Sequence, residues 1–345
     1  MNIRLEDLSA IRSLGYTETE ARFLYLVATH SGYFTQRQYL DFSGQHHGFI
    51  VNRLTSRILT RHHARATAYA HKTHVYNLHS RRIYGAIDKD NLRNRRRQSV
   101  EMILTRLMIL DFVLPHRDEH YLETETDKVD YFHRRMGLPL SILPARIYRG
   151  ITSAATTARY FVDRFPVFIP ASGNPLGLAP WVTFTYCHAL GSSLESYVTH
   201  LKKYQGFLHH LPGFNLIFAS AEAHQFDRAR SIFTQLFRPA GFSTARRLTH
   251  YFEIRKLWDT HRTAELTHAD RDFLRETMQE FKAQKYEAAY QEWAAGTLSA
   301  GQIQALVAGP VESPNRFFHT CTQPRSYPIF STESSRDYRR PPRYR

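Results

Sequence analysis

The chain has 345 residues, 42% hydrophobic and 13% aromatic, which is enough to fill the cores of two domains. Its formal charge of +15, at a pI near 9.9, exceeds what solubility needs and points to a polyanionic partner. The two distant cysteines, Cys187 and Cys321, exclude a disulfide framework or thiolate zinc site, and the absence of any run of about 20 apolar residues excludes a helical membrane span.

Residues 1–9 alternate charged and apolar side chains without the apolar core of an export signal, so a reducing cytoplasm is the expected location. The charge is unevenly placed. Between Phe34 and Arg97, thirteen Lys or Arg stand against three acids, Asp41, Asp88 and Asp90. Composition suggests four stretches: a basic domain over 1–90, a helical linker or dimerisation region over 91–150, an α/β domain with C-terminal helices over 151–309, and a basic tail rich in Pro, Arg and Tyr over 310–345. The prolines lead us to expect an extended or disordered tail.

In chain order, Thr17 with Glu20 three residues later has capping-box spacing and starts a helix whose apolar face is Phe23, Leu24 and Val27. Thr35 caps a short helix over 36–42, and Ser43-Gly44 turns the chain into a third helix over about 46–60. Ile50, Leu54 and Ile58 at i, i+4 and i+8 form its expected buried stripe. Gln45, Asn52, Arg53, Ser56 and Thr60 lie on the opposite side. Residues 65–70 and 74–78 alternate as a hairpin around His71-Lys72-Thr73. Helix, helix–turn–helix and basic hairpin in this order form a winged-helix arrangement over about 16–88, in which the third helix enters the major groove of double-stranded DNA.

The candidate DNA contacts are Gln45, His47, Asn52, Arg53, Ser56, Arg57, Thr60 and Arg61 on and around that helix, Arg65, His71 and Lys72 on the hairpin, and Arg95, Arg96 and Arg97 beyond it. The cations among them would neutralise phosphate and release counterions. A zinc site built from His62, His63, His71 and His74 would lack acids or thiolates in its shell, so no metal and no other cofactor is expected.

An apolar helix over 100–114 has so broad a stripe that it belongs in a core or a homodimer interface. A further helix is expected over 127–136. Beyond it, residues 160–169 suggest a strand pair and 181–187 a strand, followed by a helix over 193–209, a strand over 214–219 and a helix over 223–236. Helices over 270–283 and 286–295 carry Phe273, Met278, Phe281 and Trp293 as anchors, and together with the tail they offer a surface for a protein partner. The overall class is therefore α+β, a winged helix–turn–helix followed by a mixed α/β domain.

The segments Ser193-Leu194-Glu195-Ser196-Tyr197-Val198-Thr199-His200-Leu201-Lys202-Lys203-Tyr204 and Phe214-Asn215-Leu216-Ile217-Phe218-Ala219-Ser220 carry a resemblance to the replication-relaxation proteins of plasmids and integrative elements. It covers about 16–88 and 165–237. It implies a winged helix joined to a restriction-endonuclease-like domain and a role in a mobile genetic element.

Such a nuclease holds Mg²⁺ on strand carboxylates beside a Lys, yet Val182-Thr183-Phe184-Thr185-Tyr186 contains neither. The scaffold reads as degenerate, and no catalytic residue is assigned. The expected function is non-catalytic DNA binding that recruits or organises replication, transfer, recombination or transcription machinery. The alternative is a metal-dependent nuclease or relaxase with a divergent site, for instance Asp163, Glu195 and Asp227. No His-apolar-His relaxase motif, P-loop or Gly-x-Ser-x-Gly elbow is present.

Overall fold

The computed structural model describes residues 3–45, 48–69, 73–149, 156–162, 165–171, 182–189, 191–237, 240–307, 315–324 and 327. The protein is of mixed α+β class and divides into two compact units, one of residues 1–233 and 315–345 and the other of residues 234–314. This division differs from the compositional borders near 90, 150 and 309. Among the described residues no helix is long and apolar enough to cross a membrane.

The first unit begins with α1 (Leu5–Ser13) and α2 (Glu18–Leu26). The capping box at Thr17 and Glu20 is present, with Thr17 N donating to Glu20 Oε2 at 2.8 Å. Helix α2 runs into a π turn (Val27–Ser31), then β1 (Tyr33–Thr35), α3 (Gln36–Ser43) and α4 (Gly48–Thr60). Thr35 closes a second capping box with Gln38, and Gly44 adopts φ +66° to turn the chain between the two helices. Strands β2 (Ala64–Ala68) and β3 (His74–Leu78) pair antiparallel, and β1 adds to β3, giving the order β1-β3-β2.

Helix α5 (Arg81–Ala86) and a 3₁₀ turn (Arg93–Arg95) lead to α6 (Val100–Val113). Residues 106–113 of α6 are all buried, so this helix lies inside the core, as its broad apolar stripe requires. One apolar cluster runs from Leu8 and Phe23 through α6 to Phe168, Cys187 and Ala219, so helices α1–α4 share a core with the sheet that follows.

That sheet comprises β4 (His120–Tyr121), β7 (Val167–Ile169), β8 (Val182–His188), β9 (Phe214–Ser220) and β10 (Arg316–Thr322), in the order β10-β9-β8-β7-β4. Strands β8, β9 and β10 are parallel, and β7 and β4 are antiparallel. Between β4 and β7 come α7 (Glu125–Val129), continued as a π turn, and the two-stranded sheet of β5 (Ala145–Arg149) and β6 (Thr156–Tyr160). Helix α8 (Leu194–His209) links β8 to β9 and packs on them through aromatic edges, including Tyr197 on Phe218 at 5.0 Å. Helix α9 (Phe226–Leu236) follows β9.

One expectation is corrected: residues 160–169 do not pair with each other, because β6 and β7 belong to different sheets. Within the tail, residues 316–322 are free of proline and extended as a strand, for which β9 offers a complete parallel ladder from Arg316↔Phe214 to Thr322↔Ser220.

The second unit contains α10 (Ala240–Asp259), α11 (His268–Glu280), α12 (Gln284–Ala294) and α13 (Ala300–Val307) around Leu248, Phe252, Phe281, Tyr290 and Ile303. Of the expected anchors, Phe281 is buried and Phe273 and Trp293 pack partly, whereas Met278 is exposed. Arg255 joins α10 to α12 through Glu287, at 2.6 and 2.9 Å, and lies 4.1 Å from the Tyr290 ring centroid.

A buried polar group ties the first unit together. Asp111 on α6 accepts from Gln38 Nε2 of α3 at 2.9 Å and from Tyr327 Oη at 2.6 Å. Burial raises its pKa to about 6 despite these two donors. Because the folded value lies above the unfolded one, this group's contribution to stability is complete only below the unfolded pKa of 3.8 and is lost as pH rises through 6. Between pH 4 and 7, denaturant unfolding should shift the stability difference in favour of Asp111→Asn by about 2 to 3 kcal/mol. Gly32, at φ +81°, has no room for a Cβ, which would stand 2.1 Å from Asn94 O. Gly32→Ala should cost at least about 2 kcal/mol in the same measurement.

Candidate nucleic-acid interface

Helix α4 is two-sided. Val51, Leu54, Thr55 and Ile58 are buried, and Thr55 Oγ1 returns its hydrogen bond to Val51 O at 2.9 Å rather than reaching outward. Ile50, expected in the buried stripe, is only partly covered, and Val51 takes its place. Asn52, Arg53, Ser56 and Thr60 are exposed along the opposite face, as is Gln45 in the turn before it.

Phe49 sits on that exposed face and is 74% accessible. It was absent from the sequence-derived contacts, although its spacing of three from Asn52, four from Arg53 and seven from Ser56 puts it in the same row. Arg37 on α3 and Arg81 and Arg82 on α5 are further exposed cations outside that set.

The arginines near α4 have different roles. Glu20, fully buried at the start of α2, forms an ion pair with Arg57 Nη1, while Arg53 Nε stays 3.9 Å from its other oxygen. Arg57 is therefore bound closely to this carboxylate, and Arg53, about half exposed, reaches it only at the limit of an ion pair. Arg61 is exposed and lies 5.8 Å from the Tyr16 ring centroid, over Gly15. Arg65 is exposed on β2 opposite Asn77. His47, His71 and Lys72 lie outside the described residues.

The basic run is fixed through its backbone and through Asn94. Asn94 Nδ2 donates to Ala28 O at 2.9 Å and Thr29 O at 2.7 Å, and Tyr33 Oη donates to Arg96 O at 3.1 Å. Arg95 is half-buried, and Arg96 and Arg97 are exposed.

His63 belongs to the core. It is buried, and its Nδ1 lies 2.6 Å from Tyr16 Oη. Burial, then Arg61 and Arg82, lower its pKa, while burial raises that of Tyr16 to about 12, so a neutral ring meets a neutral phenol. Among the described residues no group of three His, Cys, Asp or Glu is placed to hold a metal ion. Glu195 and Asp227 are exposed in the first turns of α8 and α9, and Asp163 lies outside the described residues.

No protein-family model, curated protein or solved structure matches the chain.

Removing Arg57 leaves Glu20 buried without its close cation, a change that costs about 3 kcal/mol in comparable pairs. In denaturant unfolding, Arg57→Ala should therefore lower the unfolding free energy by that amount. Arg53→Ala, on the exposed side, should move it by less than about 0.5 kcal/mol.

Proposed function

We propose that residues 16–88 act as a winged helix that binds double-stranded DNA through the exposed face of α4. The one-sidedness of that helix carries the reading: Asn52, Arg53, Ser56 and Thr60 form a continuous outward row while the other side fills the core. Asn can read adenine by paired hydrogen bonds, and exposed Phe49 suits contact with a thymine methyl. Arg53, Arg61 and Arg65 supply phosphate contacts, and the β2–β3 hairpin serves as the wing.

In this reading the sheet around β8 and β9 is a restriction-endonuclease-like scaffold that positions the winged helix and partner surfaces and performs no cleavage. The absence of carboxylates from β7 and β8, whose sequences are Val-Phe-Ile and Val-Thr-Phe-Thr-Tyr-Cys-His, supports it. The chain then serves a mobile genetic element by marking DNA for replication, transfer, recombination or transcription machinery, either as a homodimer on paired half-sites or through a protein partner.

Fluorescence anisotropy with a labelled duplex at several salt concentrations tests the proposal. Arg53→Ala and Arg65→Ala should each weaken binding about three- to tenfold and lower the slope of log affinity against log salt by about 1. Unchanged affinity and slope in both variants would place the DNA surface elsewhere, and metal-dependent nicking of supercoiled DNA would contradict the non-catalytic reading.

A further inference from the structure

The first unit has a half-open cavity of about 1120 Å³ that is separate from the α4 face. One wall is the π turn, where Gly32 N donates to Val27 O at 2.6 Å and Asn94 holds the carbonyls of Ala28 and Thr29. Wide turns of this kind recur at functional sites because they displace side chains from the regular helical ladder. Here Thr29 and His30 line the cavity, and Gly32 lets Asn94 lock the turn from behind.

Thr29 Oγ1 and His30 Nε2 are buried and lack a hydrogen-bond partner among the described residues, and His30 is only 8% exposed. Buried polar atoms left unpaired are costly and call for a ligand oxygen or similar group. Burial, then Lys89 and Lys128, push the His30 pKa down to about 3, so its ring is neutral and able to donate from Nε2 without adding charge.

The charges lining the cavity separate into matched and unmatched sets. Lys89 meets Glu123, Arg159 meets Glu125 at 2.7 Å, and Arg4 meets Asp7 at 2.9 Å. Arg93 and Arg96 have no carboxylate partner among the described residues, while Asp88 and Asp127, which also line the cavity, offset part of its positive charge. Aromatic rings complete the lining, with Tyr148 lying 5.9 Å from the Arg93 guanidinium. A cavity of this size that combines surplus guanidinium, neutral donors and an aromatic platform suits a ligand with both a planar ring and a phosphate.

We propose that this cavity binds a free mononucleotide, its phosphate held by Arg93 and Arg96 and its base stacked against Tyr148, with Thr29 and His30 supplying neutral hydrogen bonds. The proposal does not rest on α4, because it uses the π turn and the residues of and after the 3₁₀ turn, of which Arg96 alone is also a candidate DNA contact.

Isothermal titration of the full chain with AMP, GMP, adenosine, inorganic pyrophosphate and a 5′-phosphorylated single-stranded oligonucleotide tests it. Saturable binding of AMP or GMP below about 1 mM is expected, at least about tenfold tighter than adenosine or pyrophosphate. Arg93→Ala with Arg96→Ala should weaken it at least about tenfold, and near-isosteric Thr29→Val about threefold, with melting temperatures unchanged. Arg53→Ala should leave it intact whatever it does to duplex binding, so the two readings fail separately. No saturable mononucleotide binding, equal affinity for pyrophosphate, binding of the oligonucleotide alone, or full affinity in the Arg93/Arg96 variant would each overturn the proposal.

Discussion

The buried carboxylate of Glu20 fixes the geometry on which the α4 surface depends. It closes the capping box that starts α2 and, through Arg57, holds α4 against that helix. A fully buried charge is tolerated only when hydrogen-bonded and paired, so both tasks must be met together. With Arg57 committed to Glu20, the outward face of α4 is left to Phe49, Asn52, Arg53, Ser56 and Thr60. Arg57 holds the helix closely, while Arg53 one turn away stays about half exposed.

A second constraint comes from α6. Its buried stretch gives helices α1–α4 and the five-stranded sheet a common core, and Asp111 ties α3, α6 and Tyr327 to one another by hydrogen bonds. Gln323 adds a bond to Met108 O at 3.1 Å, so the segment after β10 is fastened to the same helix. Such a satisfied polar group favours one packing arrangement over the alternatives that apolar contacts alone would allow. The small three-stranded sheet is thus anchored to a larger body.

Local chemistry made much of this legible. Thr17 with Glu20 and Thr35 with Gln38 marked two helix starts, and Gly44 marked the turn, because caps and left-handed turns depend on residues close in sequence. The two-sided pattern of α4 was readable for the same reason, and spacing alone would have added Phe49. Features that depend on distant partners stayed hidden. The π turn needs Asn94, more than sixty residues away, to satisfy its carbonyls, and β10 becomes a strand only because β9 supplies its ladder. Charge type also leaves partners unseen: Arg57 has the composition of a phosphate contact, and its pairing with a buried acid on another helix was not readable from spacing.

The central claim, that the exposed face of α4 meets DNA, is tested most directly by site-specific photocrosslinking. A benzophenone side chain replacing Phe49, exposed and aromatic already, should capture a bound duplex on irradiation, while the same group replacing exposed Met278 in the second unit should not. A duplex that binds tightly yet crosslinks at Met278 and not at Phe49 would contradict the account.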